Sequence, residues 1–256
     1  MSELPLGAGL RGRGVLVTGA AGAIGAAVAR SFAACGARVV VSDLRAEGLE
    51  ATMASLPGDG HTALTADLTD VAALDAFLAR ADSECGGLVA LAHLAAVILR
   101  RADLMSISEA DWDVQVDVNL KASFFLNRAF AEQLRRAGRA GSIVNFSSQG
   151  WWTGGLGGSV VYSGTKGGIV SMTRGLARTY APEGIRVNAV APGLVDTPML
   201  LDGLGEGLIE KLVEQVPLGR MATPEEIAPS VVFLASDHAG YITGATLNIS
   251  GGFLMY

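Results

Sequence analysis

Cysteine is scarce in this chain, with only Cys35 and Cys85 among 256 residues. Two thiols in helix-like surroundings do not make a disulfide framework, so reduced cysteines and a cytoplasmic setting are expected. Charge is also sparse, at 17% of residues, and the balance is acidic, at −6. That argues against a nucleic-acid surface, and Arg135, Arg136 and Arg139, the only basic cluster, read as a solvated helix end. Long apolar runs are missing too. The longest, Leu88–Leu99, is interrupted by His93 and falls short of the ~18 residues that a membrane span requires. The opening Met-Ser-Glu-Leu-Pro-Leu lacks the basic-then-apolar pattern of a secretory signal, so none is expected. Neither His61 nor His238 has Cys, Asp or Glu at ligand spacing, and no metal site is expected.

What the chain does have is short β-branched runs alternating with stretches of helical periodicity. Strands are predicted over 14–18, 38–42, 61–65, 88–92, 142–146, 185–190 and 246–249. Helices are predicted over 24–34, 45–55, 71–84, 109–137, 160–180, 199–214 and 224–235, the fourth changing character near Asn119. Parallel strands need crossover helices, and a sheet covered on both faces accounts for a chain that is 50% hydrophobic. The expectation is one α/β domain over 1–256, a Rossmann-type doubly wound parallel sheet in three layers.

The first βα turn reads Thr18-Gly19-Ala20-Ala21-Gly22-Ala23-Ile24-Gly25. Glycines there permit a tight turn and let a pyrophosphate approach outward-pointing amides at a helix start. Asp43 ends the second predicted strand, 24 residues beyond Gly19. A carboxylate there accepts hydrogen bonds from ribose hydroxyls and repels a 2′-phosphate, which favours NAD over NADP. Leu44 follows with no compensating positive charge.

Tyr162 and Lys166, in Tyr-Ser-Gly-Thr-Lys, stand four apart and so share one helix face. An ammonium beside a phenol favours the phenolate. Bringing a phenol from about 10 to roughly 7 needs ~4 kcal/mol, more than one exposed ion pair supplies. The pair therefore makes sense as an acid/base beside a cofactor that adds positive charge.

With these motifs in order along the chain, the sequence resembles the classical short-chain dehydrogenase/reductase family from Gly14 to Gly252. Thr18, Gly19 and Gly25 match its glycine motif, with Ala23 where glycine is usual. Asn119 falls at the family's active-site asparagine, Ser148 in Ile143–Ser148 matches its catalytic serine, and Tyr162 and Lys166 complete the tetrad. The resemblance implies a dinucleotide held at Gly19, Ala23, Ile24 and Gly25, at Asp43 and Leu44, and at Asp67, Leu68 and Ala95. On the other side it implies Tyr162, Lys166, Pro192, Gly193, Val195 and Thr197. Activity is expected to be NAD-dependent interconversion of a secondary alcohol and a ketone. A 3-oxoacyl-carrier-protein reductase and a dinucleotide-binding sensor are the alternatives.

Two departures stand out. His93-Leu94-Ala95-Ala96 replaces the usual Asn-Asn-Ala-Gly, in wording closer to the extended branch of the family, and His93 is expected to support the strand end from the core. The interval from Ser148 to Tyr162 is one residue longer than usual, which predicts a bulge in 154–158 and leaves Ser147 as a weaker candidate for the serine role. Trp151 and Trp152, in a substrate loop near 149–160, are expected to line a pocket for a cyclic, aromatic or otherwise hydrophobic small molecule, or to meet a neighbouring subunit. A lid is expected within 194–214, centred on Leu200–Gly207. The apolar tail Phe253–Tyr256 is expected at the contact of a homotetramer.

Overall fold

A computed structural model describes residues 6–202, 204 and 207–256. The strands are β1 (Gly14–Thr18), β2 (Arg38–Asp43), β3 (Thr62–Thr65), β4 (Leu88–His93), β5 (Gly141–Phe146), β6 (Ile185–Pro192) and β7 (Thr246–Ile249). Side chains alternate across the sheet, and here both sides are covered. Val15 and Val17 enter one core with Val39 and Val41, while Leu16 and Val40 enter the other. All pairings are parallel, in the order β3-β2-β1-β4-β5-β6-β7.

The helices are α1 (Ala23–Ala34), α2 (Ala46–Ala54), α3 (Leu74–Cys85), α4 (Glu109–Val116), α5 (Ala122–Arg136), α6 (Gly150–Thr153), α7 (Val160–Tyr180), α8 (Pro198–Leu201), α9 (Leu208–Val213) and α10 (Pro224–Ala235). Residues of α1 and α10 fill the core on one face, and those of α3, α5 and α7 fill the other. This is the doubly wound, three-layer Rossmann-type sheet in a single domain. Local signals place several ends: Thr223 and Glu226 form a reciprocal cap before α10, and Ser108 and Asp111 do the same for α4.

Two predicted helices differ in form. The 109–137 stretch is interrupted by a π-helical turn, Asp117–Lys121, with Asn119 buried in it. The 199–214 stretch is two short helices, α8 and α9. Part of the expected lid, residues 203, 205 and 206, lies outside the described residues. Among the described residues no helix is long and apolar enough to cross a membrane, and no group of three or more His, Cys, Asp or Glu could hold a metal ion.

Strand order reverses beside β1: β2 and β3 lie on one flank and β4 to β7 on the other. Loops leaving the carboxyl ends of β1 and β4 part in opposite directions there and open a crevice. The predicted functional residues lie at or beyond the carboxyl ends of β1 to β6.

Candidate active site

The turn after β1 fits a dinucleotide. Gly19 has φ 69°, and a methyl group on it would stand 2.6 Å from the Ala95 amide nitrogen. A side chain on Gly25 would collide with the Gly19 carbonyl, so helix and turn pack at backbone distance. α1 begins at Gly22 with no side chain capping its first amides, which leaves them available to a pyrophosphate. Ala23 and Ile24 occupy its first turn. Asp43 stands at the end of β2, where its carboxylate accepts from the amides of Ala21 and Arg45, both at 3.1 Å. Leu44 beside it is exposed. Asp67 is folded back on Thr69, and those hydrogen bonds hold its carboxyl below the usual range, while Leu68 is buried.

β1 and β4 are tied together at this crevice by His93. Its Nδ1 lies 2.7 Å from Thr18 Oγ1, and its Nε2 lies 2.8 Å from Ser123 Oγ. The Ser123 hydroxyl donates its one hydrogen to the Asn119 carbonyl, 2.7 Å away. Ser123 therefore accepts from His93, which assigns the ring proton to Nε2 and makes Nδ1 the acceptor for Thr18. Burial, with the charge of Lys166 as the lesser cause, pushes the imidazole down to about 3. A neutral, fully bonded core histidine results, as expected from the sequence.

Asn119 is likewise fixed. Its side-chain oxygen accepts from the Val97 amide, and its side-chain nitrogen donates to the Val97 carbonyl, each at 2.8 Å, and to Thr165 Oγ1. The π-helical turn thus turns the amide toward the chain leaving β4, a recurrent use of such turns.

Ser148 and Tyr162 come together. The Ser148 side chain is near enough to the phenol to pull its pKa down, and Ser148 Oγ accepts from the Gly150 amide at 3.2 Å. Ser147 is turned away, donating to the Lys166 carbonyl at 2.9 Å, so the weaker serine candidate is eliminated by geometry. The extra residue between Ser148 and Tyr162 is absorbed by α6 and by Gly154, Gly155, Gly157 and Gly158, all at positive φ. Lys166 is buried, donates to the Phe146 carbonyl at 2.7 Å and lies 5.4 Å from the centre of the Tyr162 ring.

The electrostatics agree that Lys166 alone does not lower the phenol. Desolvation pushes the Tyr162 phenol up to about 12, against the downward pull of the Ser148 hydrogen bond and the Arg100 charge. Lys166 does not bring it toward neutrality, because the ammonium lies toward the ring and is itself lowered to about 8 by burial. The protein's own groups keep the phenol neutral beside an ammonium that burial has weakened.

The far side of the crevice is built from segments distant in sequence. Pro192 ends β6, the Gly193 amide donates to the Ile249 carbonyl, and Val195 bridges to Ala222. Thr197 caps α8 through the Leu200 amide. Trp151 and Trp152 lie on α6 and pack edge to face, and Tyr256 packs against both rings at 5.2 and 5.7 Å. The tail, expected at a subunit contact, therefore reaches the tryptophans of its own chain. Sequence reasoning missed Tyr256 here, because nothing local links residue 256 to 151. It also missed Arg100, although two arginines directly after the longest uncharged run were a visible signal.

A family model described as Enoyl-(Acyl carrier protein) reductase matches residues 19–254. Cis-4-hydroxycyclohexanecarboxylate dehydrogenase of Sinomonas cyclohexanicum is 40% identical over 245 residues, 94% of this chain and 96% of that protein. The (2S)-[(R)-hydroxy(phenyl)methyl]succinyl-CoA dehydrogenase subunit BbsD of Thauera aromatica is 38% identical, covering 95% of this chain and 97% of its own length. Among solved structures, a short-chain dehydrogenase/reductase, glucose/ribitol dehydrogenase, from Brucella melitensis superposes with a TM-score of 0.87 at 34% identity, covering 96% and 98% of the two chains. These relatives and the fold define an oxidoreductase working through a nicotinamide dinucleotide. The chain belongs to the classical short-chain dehydrogenase/reductase family.

Proposed function

We propose that the protein is a cytoplasmic, NAD-dependent oxidoreductase that interconverts a secondary alcohol and a ketone on a hydrophobic, ring-bearing substrate. The observation that carries this reading is the grouping of Tyr162 with Ser148 and with a buried Lys166 whose Nζ lies 5.4 Å from the centre of the Tyr162 ring. Tyr162 moves the proton at the substrate oxygen, and Ser148 hydrogen-bonds that oxygen and fixes its position. Lys166 reaches the nicotinamide ribose and replenishes the Tyr162 proton, with Asn119 holding a water behind it. The dinucleotide supplies the hydride chemistry and, when oxidised, the positive charge that brings the phenol down.

Gly19, Ala23, Ile24 and Gly25 hold the pyrophosphate, Asp43 and Leu44 the adenosine ribose and adenine edge, and Asp67, Leu68 and Ala95 the adenine side. Pro192, Gly193, Val195 and Thr197 close on the nicotinamide. Asp43 repels a 2′-phosphate, which supports NAD and weighs against the second reading, a 3-oxoacyl-carrier-protein reductase using NADPH. A sensor without chemistry would not need Asn119, Ser148, Tyr162 and Lys166 together. Trp151 and Trp152, in the substrate loop 149–160, face the ring of the substrate, and 194–214 acts as the lid. The relative named for a cyclohexane alcohol supports a ring-shaped substrate. Exposed Trp112 and Phe124 on α4 and α5 support a homotetramer. The test is a panel of cyclic and aromatic alcohols and ketones, assayed with NAD(H) and NADP(H) at the reduced-nicotinamide absorbance. Turnover with NADH well above NADPH is expected, and no turnover, or an NADPH preference, contradicts the reading.

A further inference from the structure

The crevice holds one charge that hydride transfer does not use. Arg100 lies between β4 and α4, and its neighbours hold that stretch of backbone in place. The Arg101 amide donates to the Gly158 carbonyl at 3.0 Å. The Arg101 guanidinium grips Asp111 at the start of α4, with Nη2–Oδ1 at 2.6 Å and Nε–Oδ2 at 3.2 Å. Gly158, at φ 78°, lets the two segments meet, since a methyl group there would overlap the Arg101 carbonyl.

From this anchored base the Arg100 side chain crosses to the lid. Its Nη1 donates to the carbonyls of Met199 and Asp202. Its Nε is fully enclosed and has no hydrogen-bond partner among the described residues. The guanidinium and the Tyr162 phenol feel each other's charge: Arg100 lowers the phenol, and the phenolate form raises Arg100. Asp202 is the other charge acting on Arg100; it is exposed, and it offers Nη1 its backbone carbonyl. An enclosed N–H donor left without an acceptor costs about 1–3 kcal/mol. In the proposed reaction, a donor of that kind, on the loop between β4 and the Met199–Asp202 segment, is available to the remainder of the substrate.

We propose that Arg100 binds a carboxylate carried by the substrate, so that the alcohol oxidised at Tyr162 and Ser148 is a hydroxy acid and the product an oxo acid. The inference rests on the alcohol dehydrogenase reading of that site. A guanidinium edge matches one planar carboxylate. A phosphoryl group, with close to two negative charges, calls for more positive charge than the single Arg100 guanidinium supplies.

The test compares 4-hydroxycyclohexanecarboxylate with its methyl ester as substrates of wild type, Arg100→Met and Arg100→Lys. Alongside it, cyclohexanecarboxylate and methyl cyclohexanecarboxylate are titrated into the enzyme–NADH complex by fluorescence. Wild type is expected to favour acid over ester, mainly through KM. Arg100→Met should lower that acid-to-ester ratio by about 10- to 100-fold, the range of a charge-assisted hydrogen bond, and Arg100→Lys should recover part of it. Binding of the two non-reacting ligands should change in the same ratio. If acid and ester lose equally in Arg100→Met, or wild type does not separate them, Arg100 is a lid contact and the proposal is wrong. In that event, turnover of the ester that disappears in Tyr162→Phe leaves the dehydrogenase reading standing. Full turnover by Tyr162→Phe overturns that reading instead.

Discussion

Lys166 Nζ stands 5.4 Å from the centre of the Tyr162 ring, and its hydrogen bond goes to the Phe146 carbonyl, not to the phenol. The ammonium therefore sits where a dinucleotide ribose could meet it, with the phenol oxygen left to Ser148 and the substrate. In the proposed mechanism this division leaves Tyr162 to carry the proton at the reacting oxygen. Tyr162→Phe is expected to lower kcat by at least about 10²- to 10⁴-fold, the usual contribution of a positioned acid/base. NADH affinity, read by fluorescence, is expected to stay within a few-fold.

His93 makes the fold acid-sensitive in a predictable direction. Its folded value, about 3, lies below the ordinary imidazole value of 6.5, so below pH 6.5 the unfolded chain takes up a proton that the folded chain refuses. Stability from this group is complete above pH 6.5 and is lost as pH falls, by about 1.4 kcal/mol per unit. Urea unfolding between pH 7 and 5 should show wild type losing about 2 kcal/mol more than His93→Asn over that interval.

Asp43 is expected to set the choice of dinucleotide. Its carboxylate is anchored by the amides of Ala21 and Arg45, so it cannot swing away from a 2′-phosphate without losing both. Asp43→Ser should raise kcat/KM with NADPH and lower it with NADH, moving the ratio by about 10-fold or more. An unchanged ratio would remove Asp43 from that role.

Gly19→Ala tests the phosphate turn. At φ 69° an alanine is strained, and its methyl would press on the Ala95 amide. A loss of about 1–3 kcal/mol in stability is expected in thermal unfolding, with weakened NADH binding.

Most of the fold was legible because its signals are local. The boundaries of β1, α7, α10 and β7 agree with the sequence-based ranges, since β-branched runs and helical periodicity are carried by the residues themselves. The π-helical turn at Asn119 appeared in the sequence only as a change of character, because it depends on Val97, 22 residues away. The partners of Arg100 and Tyr256 were not legible for the same reason: Met199, Asp202, Trp151 and Trp152 come from other parts of the chain. The upward Tyr162 shift of the protein by itself was not legible, because desolvation, which raises it, is invisible in a sequence, whereas the nearby lysine is not.

The central claim is that Tyr162 becomes an acid/base only when a dinucleotide brings positive charge to it. Titrating NAD+ into wild type and Tyr162→Phe at mildly alkaline pH, while following the tyrosinate absorbance band, tests it directly. The expected result is a tyrosinate signal of one residue that grows with NAD+ in wild type and is missing from Tyr162→Phe. Growth of the same signal in both proteins, or in neither, would contradict the account.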